Sequence, residues 1–352
     1  MSSGPPGEPV HSPRCSGRER GIAYAFIGTL AVSPDSLFTK LASQYGGDEG
    51  SFWTFVAFKS LLIAAFTIFY VAHEQRGLSR LRRSVMIAPG RILLSSILQA
   101  LVNVGFALSF YTTTAAKALL FISLNPLWAA LLGWRLLGDA LPPQTIAVMV
   151  VAGVAIMLVL VPPLVLDEAS AEGALHGDMV AVATGISLAT YITNNRYCQK
   201  SRPGAALSLT PFLGGLLSFV ATVPVAFARS ECCALRSAAF WGLLVVDALV
   251  TVAVSIFALV LAPKYARGAE VAIVLLLENI LGPLWTYLGL GEVPSRWTFY
   301  GGGMLLGSLF LHEVWHLWSG VSSRFSQKRA DEDVNAEPST TPAANGVQVD
   351  RI

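Results

Sequence analysis

Four ionisable residues stand inside apolar stretches of this chain. They are Asp35 in "IAYAFIGTLAVSPDSLF", Lys59 in "FWTFVAFKSLLIAAF", Asp247 in "WGLLVVDALVTVAVS" and Glu278 in "VAIVLLLENILGPLW". A charge at the centre of a membrane helix costs on the order of 2.5–3.5 kcal/mol on insertion scales, so such a residue faces a protein interior or a cavity rather than lipid. Lys59 is suited to pair with Asp35, or to hold a substrate carboxylate or phosphate. Glu278 or Asp247 is suited to bind an amine or to carry a coupling proton. Sequence leaves these alternatives open. Uncharged polar residues recur beside them at helical spacing: Ser95, Gln99 and Asn103 follow at i, i+4, i+8 and share one face, as do Asp247, Thr251 and Ser255. Asn125, directly before Pro126, interrupts another apolar run.

The elements that must carry these groups are membrane helices. The 352 residues are 54% hydrophobic and 13% charged, with mean hydropathy +0.59; an average soluble domain has about 25% charged residues. Ten apolar runs are long enough to cross a hydrocarbon layer roughly 30 Å thick. They fall near 21–43, 52–72, 91–111, 115–135, 144–163, 177–197, 208–228, 238–261, 267–289 and 297–317. Counted from one side of the membrane, Asp35, Lys59, Asp247 and Glu278 then lie within roughly 5 Å of a common depth. Placing both termini in the cytosol puts Arg80, Arg82, Arg83, Arg196, Lys200 and Arg202 on the inner side and the acidic segments 46–51 and 166–172 on the outer side. That asymmetry follows the positive-inside rule and requires an even number of spans. Net charge of +2 says little about partners. A lipid bilayer and a small-molecule metabolite are expected, and nucleic acid is not.

A long loop divides the spans five and five. The expected organisation is a cytosolic tail over 1–20, a first five-helix unit over 21–163, an outer connection over 164–176, a second unit over 177–317 and a disordered cytosolic tail over 318–352. A shift of 153 residues lays Gly138-Asp139 on Gly291-Glu292 and Asn125 on Glu278, and the two polar stripes recur at nearly the same offset. A unit with an odd number of spans must repeat upside down, which is the usual construction of secondary transporters with a substrate site near the midplane. Asn125-Pro126 and Pro283 weaken backbone hydrogen bonding in the fourth and ninth spans, and freed backbone is tolerated in a membrane only where protein or a wet cavity satisfies it. The glycines of the Gly-acid pairs permit left-handed helix ends. Gly303 and Gly307 form a GxxxG suited to close helix contact and to a homodimer face.

Other motifs are weaker. "HEVWH" at 312–316 has the form of a zinc motif, but it falls at the end of the last span with no third ligand evident. Cys15 and Cys198 stand alone, and Cys232-Cys233 are neighbours, which suits neither a zinc pair nor an ordinary structural disulfide. No cofactor or metal is expected. No Walker P-loop is present, so any transport would be driven by a gradient or by exchange.

"KALLFISLNPLWAALLGWRLLGDALPPQTIAVMVVAGVAIML" (117–158) and "GAEVAIVLLLENILGPLWTYLGLGEVPSRWTFYGGGMLLGSLFL" (268–311) resemble the two copies of the EamA-type domain of the drug/metabolite transporter superfamily. The stretch "HGDMVAVATGISLATYITNNRYCQ" resembles the opening span of the second copy. The resemblance implies an all-α integral membrane protein of ten transmembrane helices in two inverted five-helix repeats. It also implies a secondary carrier of small polar organic metabolites that works by alternating access. The family often carries arginine where Lys59 stands, so the charge is kept and the planar fork for bidentate anion binding is lost. Where the second copy often has proline, this chain has Asn279, with Pro283 one turn later. An intramembrane enzyme and a receptor or scaffold without transport are the competing readings. The expected binding or coupling residues are Lys59, Glu278, Asp247, Asp35, Gln99, Asn103 and Asn125.

Overall fold

The computed structural model describes residues 14–44, 51–75, 78–138, 143–165, 171–202, 204–229, 238–266 and 268–336. These are helical throughout, with no strand among them. In chain order the helices are α1 (Arg14–Val32), α2 (Asp35–Ser43), α3 (Phe52–Gln75), α4 (Leu78–Ile87), α5 (Pro89–Thr112), α6 (Ala115–Ile122), α7 (Asn125–Leu137) and α8 (Pro143–Val165). They continue with α9 (Ala171–Ser201), α10 (Thr210–Ala228), α11 (Ala238–Val245), a π-helical segment (Val246–Ala253), α12 (Val254–Tyr265), α13 (Gly268–Leu275), α14 (Glu278–Leu290) and α15 (Arg296–Ala336). Seven described segments are long and apolar enough to cross a membrane: Glu19–Ser43, Phe52–Phe69, Pro89–Thr112, Ala115–Leu137, Pro143–Val161, Leu207–Ala228 and Ile273–Leu290. The protein is an all-α membrane protein.

Three of these spans are broken at mid-length, and the polar residues beside the breaks satisfy the backbone they free. Pro34 has no N–H to give to the carbonyl four residues back, that of Leu30; the Ser33 hydroxyl donates to it at 2.9 Å instead. Pro126 leaves the Ile122 carbonyl in the same position, and Asn125 Nδ2 donates to that oxygen at 3.2 Å. At the third break, between α13 and α14, Asn279 Nδ2 reaches the Leu276 carbonyl at 3.4 Å. At the two proline breaks a side chain replaces a hydrogen bond that lipid could not supply; at the third the Leu276 carbonyl also accepts from the backbone N–H of Asn279 at 3.2 Å.

The sequence pattern places these breaks only in part. The first span reads as continuous but divides at Ser33-Pro34 into α1 and α2. The ninth divides at Leu276-Leu277, and Pro283 lies inside α14 rather than at its start. Other boundaries differ as well. The connection expected over 164–176 is shorter, since α8 continues to Val165 and α9 starts at Ala171. Helix α1 starts at Arg14, inside the expected tail. Helix α15 runs on to Ala336, past the expected start of disorder at 318, because extending an existing helix avoids the cost of nucleating one. Residues 337–352, Asp139 and Cys232-Cys233 lie outside the described residues, as does the side chain of Cys15. Cys198 is buried as a free thiol.

The most extensive packing pairs α3 with α10, α5 with α9, α1 with α12 and α8 with α15. The largest apolar core lies between α6, α7, α8, α9 and α15, around Phe121, Leu124, Val159 and Leu305. Helix α5 turns Leu93, Ile97 and Leu101 outward and buries Ser95 and Ser96, while α8 exposes Ile146, Val150, Val154 and Met157. Exposed apolar faces of this kind suit lipid.

Candidate functional site

Each of the four intramembrane charges is set by a distinct local device. Asp35 is the first residue of α2 and Glu278 the first of α14, both placed by helix breaks. Lys59 projects from the unbroken α3. Asp247 stands in the π-helical segment, a rare, wider turn that is frequent at functional sites.

Lys59 bridges two acids. Its Nζ contacts Asp35 Oδ1 and lies 2.7 Å from Asp247 Oδ2. The ammonium also sits 5.7 Å from the centre of the Phe55 ring, and Thr39 Oγ1 lies 3.5 Å from Asp35 Oδ1. Asp247 is wholly buried, and its Oδ1 meets no hydrogen-bond donor. Its Oδ2 pairs with Lys59 as an ion, off the angle of a hydrogen bond. Glu278 is half-buried and within electrostatic reach of Asp35; among the described residues its carboxylate makes no hydrogen bond or ion pair. Two contacts hold α14 against the break in the first span: Trp285 Nε1 donates to Ser33 Oγ at 2.9 Å, and Ser36 Oγ to the Gly282 carbonyl at 3.4 Å.

The uncharged candidates are placed differently. Gln99 Nε2 donates to Asn103 Oδ1 at 2.9 Å, one turn along α5, and Asn103 Nδ2 is buried without a partner. No described contact joins this pair to the charged four. Helix α10 approaches Gln99 closely at Gly214, where a Cβ would come within 2.6 Å of Gln99 Cγ. Asn125 is occupied by the Ile122 carbonyl. The polar stripe of α5 continues at Ser95, which donates to Asn195 Oδ1 at 2.7 Å and accepts from Asn194 Nδ2 at 2.7 Å, while Arg91 donates to Asn194 Oδ1 at 2.9 Å.

A second polar network, not foreseen from the sequence, closes the bundle at the C-terminal end of α2. Glu292, just past the left-handed Gly291 (φ 68°), pairs with Lys40 and accepts from the backbone N–H of Ala115 at 2.7 Å. Ala115 opens α6, so the carboxylate caps a positive helix end. Lys40 donates to the Thr113 carbonyl at 3.1 Å, Thr113 Oγ1 donates to Asp178 Oδ1 at 2.8 Å, and Lys117 lies 3.5 Å from Asp178 Oδ2. The ends of five helices, α2, α5, α6, α9 and α14, meet there. Nothing local in the sequence marks Lys40, Glu292 and Asp178 as associates.

A cavity of about 460 Å³ lies elsewhere, between α6, α14 and α15, lined by Leu120, Ile280, Pro283, Phe299 and Gly303 among others. Ile280 and Phe299 are more than half exposed, and the lining is apolar, as befits a cleft open to lipid rather than the centre of charge. A Cβ added at Gly303 or Gly307 would meet no atom within 4 Å. His312 Nε2 lies 3.1 Å from Thr145 Oγ1, joining α15 to α8, and the side chain of His316 is outside the described residues.

Residues 19–161 match the model of the EamA-like transporter family. No curated protein matches the chain. A solved structure described only as "Crystal structure of protein" aligns with TM-score 0.50 and 16% identity, covering 83% of this chain and 96% of that one.

Proposed function

From the match of residues 19–161 to the EamA-like transporter family model, we propose that the whole chain is a secondary transporter. It moves a small polar organic metabolite by alternating access, driven by a gradient or by exchange. The observation that carries this reading is the buried ion cluster: α2 and α3 from the first half and the π-helical segment from the second contribute Asp35, Lys59 and Asp247 to one contact. Residues so costly in a membrane are kept at a pathway or a coupling site.

The proposed architecture is ten spans in two inverted five-helix repeats, over 21–163 and 177–317. The packing pattern supports it. Exchanging the halves maps the pair α5 with α9 onto α12 with α1, and maps α3 with α10 and α8 with α15 onto themselves. The broken spans also correspond, with an eight-residue helix (α6, α13), then a thirteen-residue helix (α7, α14), then a left-handed glycine at Gly138 or Gly291. Close approaches recur as well. A Cβ at Gly21 would meet Ala266 N at 2.4 Å, and one at Gly177 would meet the Thr112 carbonyl carbon at 2.7 Å, so each half opens on a glycine pressed against a linker of the other.

With both termini in the cytosol, the network of Lys40, Glu292, Thr113 and Asp178 stands at the outer face, and this conformation is closed on that side. Opening outward must break it. The test is counterflow in reconstituted vesicles with a panel of amino acids, sugar phosphates, amines and carboxylates. Flux of one class should appear, and a Lys40→Cys/Glu292→Cys cross-link should stop it reversibly. Absence of saturable flux across the panel, or flux indifferent to the cross-link, counts against the reading. Gly303 and Gly307, open on the outer surface of α15, are proposed as the contact of a homodimer.

A further inference from the structure

The central charges do not balance. Among the described residues three carboxylates, Asp35, Asp247 and Glu278, face a single ammonium, that of Lys59, and Lys59 already bridges two of them. The backbone does not make up the difference: Asp35 and Glu278 open α2 and α14, but α1 and α13 end at the same breaks, at Val32 and Leu275, and the opposite partial charges of helix N- and C-termini nearly cancel. Carboxylate remains in excess over cation. The atoms that lack partners agree with that sum, since Asp247 Oδ1 is fully buried with no donor and Glu278 makes no hydrogen bond or ion pair among the described residues.

We infer that this centre takes a cationic ligand, an organic ammonium group, and that Lys59 is a fixed counter-ion rather than an anion-binding residue. The inference rests on the carrier reading and names its substrate class. An ammonium carries several N–H donors and no acceptor, matching two carboxylates that have acceptor capacity to spare. An anion would have to draw Lys59 away from Asp35 or Asp247. That would leave a buried carboxylate uncompensated, which is the more costly arrangement in a low-dielectric interior. The π turn belongs to the same account, because it sets Asp247 against Lys59 through one oxygen only.

The experiment uses the purified full-length protein, with ethanolamine and choline as cationic probes, glycolate and glycerol phosphate as matched anions, and glycerol as the neutral control. Thermal stabilisation in detergent reads binding, and counterflow in vesicles reads transport. The cations should raise the melting midpoint in a saturable way and the anions should not. Glu278→Gln should weaken the cation response about 10- to 100-fold, while Lys59→Arg, which keeps the counter-ion, should retain it. Glu278→Gln is the informative variant because it alters no contact with Lys59. Stabilisation by the anions instead, an undiminished cation response in Glu278→Gln, or a midpoint that follows pH with no probe effect each overturns the assignment. The carrier reading fails separately: saturable cation binding without flux would keep the site and remove transport, whereas flux of glycolate with no cation effect would do the reverse.

Discussion

Replacing Lys59 by methionine removes the only cation among the described residues that touches Asp247 while preserving most of the side-chain volume. Asp247 is wholly buried and Lys59 is nearly so, so solvent can screen little of the charge left behind. Removing one partner of a buried ion pair costs about 3–5 kcal/mol, because the surviving charge keeps its desolvation penalty and loses its compensation. At roughly 2–4 °C per kcal/mol, the midpoint of thermal unfolding should fall by about 10 °C. The double variant Lys59→Met/Asp247→Asn removes both charges and should recover most of the loss, because two neutral groups of similar shape replace the pair. Asp247→Asn alone should cost less than Lys59→Met, since Lys59 keeps Asp35. The measurement is tryptophan fluorescence on heating the detergent-solubilised full-length protein. A midpoint for Lys59→Met within about 2 °C of the parent, or a double variant less stable than either single one, would refute the account of Lys59 as a buried counter-ion.

Other perturbations separate the parts of the molecule. Glu292→Gln forfeits the pairing with Lys40 and weakens the cap on α6; at about 1.5–3 kcal/mol for a charge-assisted bond it should shift the population toward the outward-open form, seen as faster labelling of Ser36→Cys by an impermeant thiol reagent. Unchanged labelling would remove the network from gating. Pro34→Ala restores the N–H for the Leu30 carbonyl and should join α1 to α2, lowering flux without lowering the melting midpoint. Gly177→Ala sets a methyl 2.7 Å from the Thr112 backbone carbon, which cannot swing aside as a side chain would, so expression or midpoint should fall clearly. Gly303→Leu with Gly307→Leu meets open space and should leave the midpoint unchanged. If α15 forms the dimer contact, the mass in light scattering should drop to that of one copy.

Much of the architecture is legible along the chain because a bilayer admits so few solutions. Apolar runs of fixed length, basic residues on one side and paired Gly-acid endings are local signals, and the structure carries helices through nearly all of the expected runs. The breaks were half legible. Asn125-Pro126 announced one of them, because a proline and the side chain that serves its orphan carbonyl are neighbours in sequence. The break at Ser33-Pro34 uses the same device, yet serine is so common in membrane helices that its role shows only in the hydrogen bond to Leu30. Pro283 misled in the other direction, since it sits within α14 and the break comes earlier, at Leu276-Leu277.

From the amino-acid order alone came the solvent this protein is built for, the helical class and the identity of the four charges set within apolar helices. Those are properties of single segments and of the energy of placing them in hydrocarbon. Which charge meets which was decided only by packing. Lys59 could have served an anion or Asp35, and the fold gives it Asp35 and Asp247 together, because a broken first span and a π turn in the eighth bring their carboxylates to one ammonium from opposite halves of the chain. The same holds for Glu292 and Lys40, 252 residues apart. Ion pairs at such separations leave no trace in local periodicity; they exist only once helices distant in sequence lie side by side.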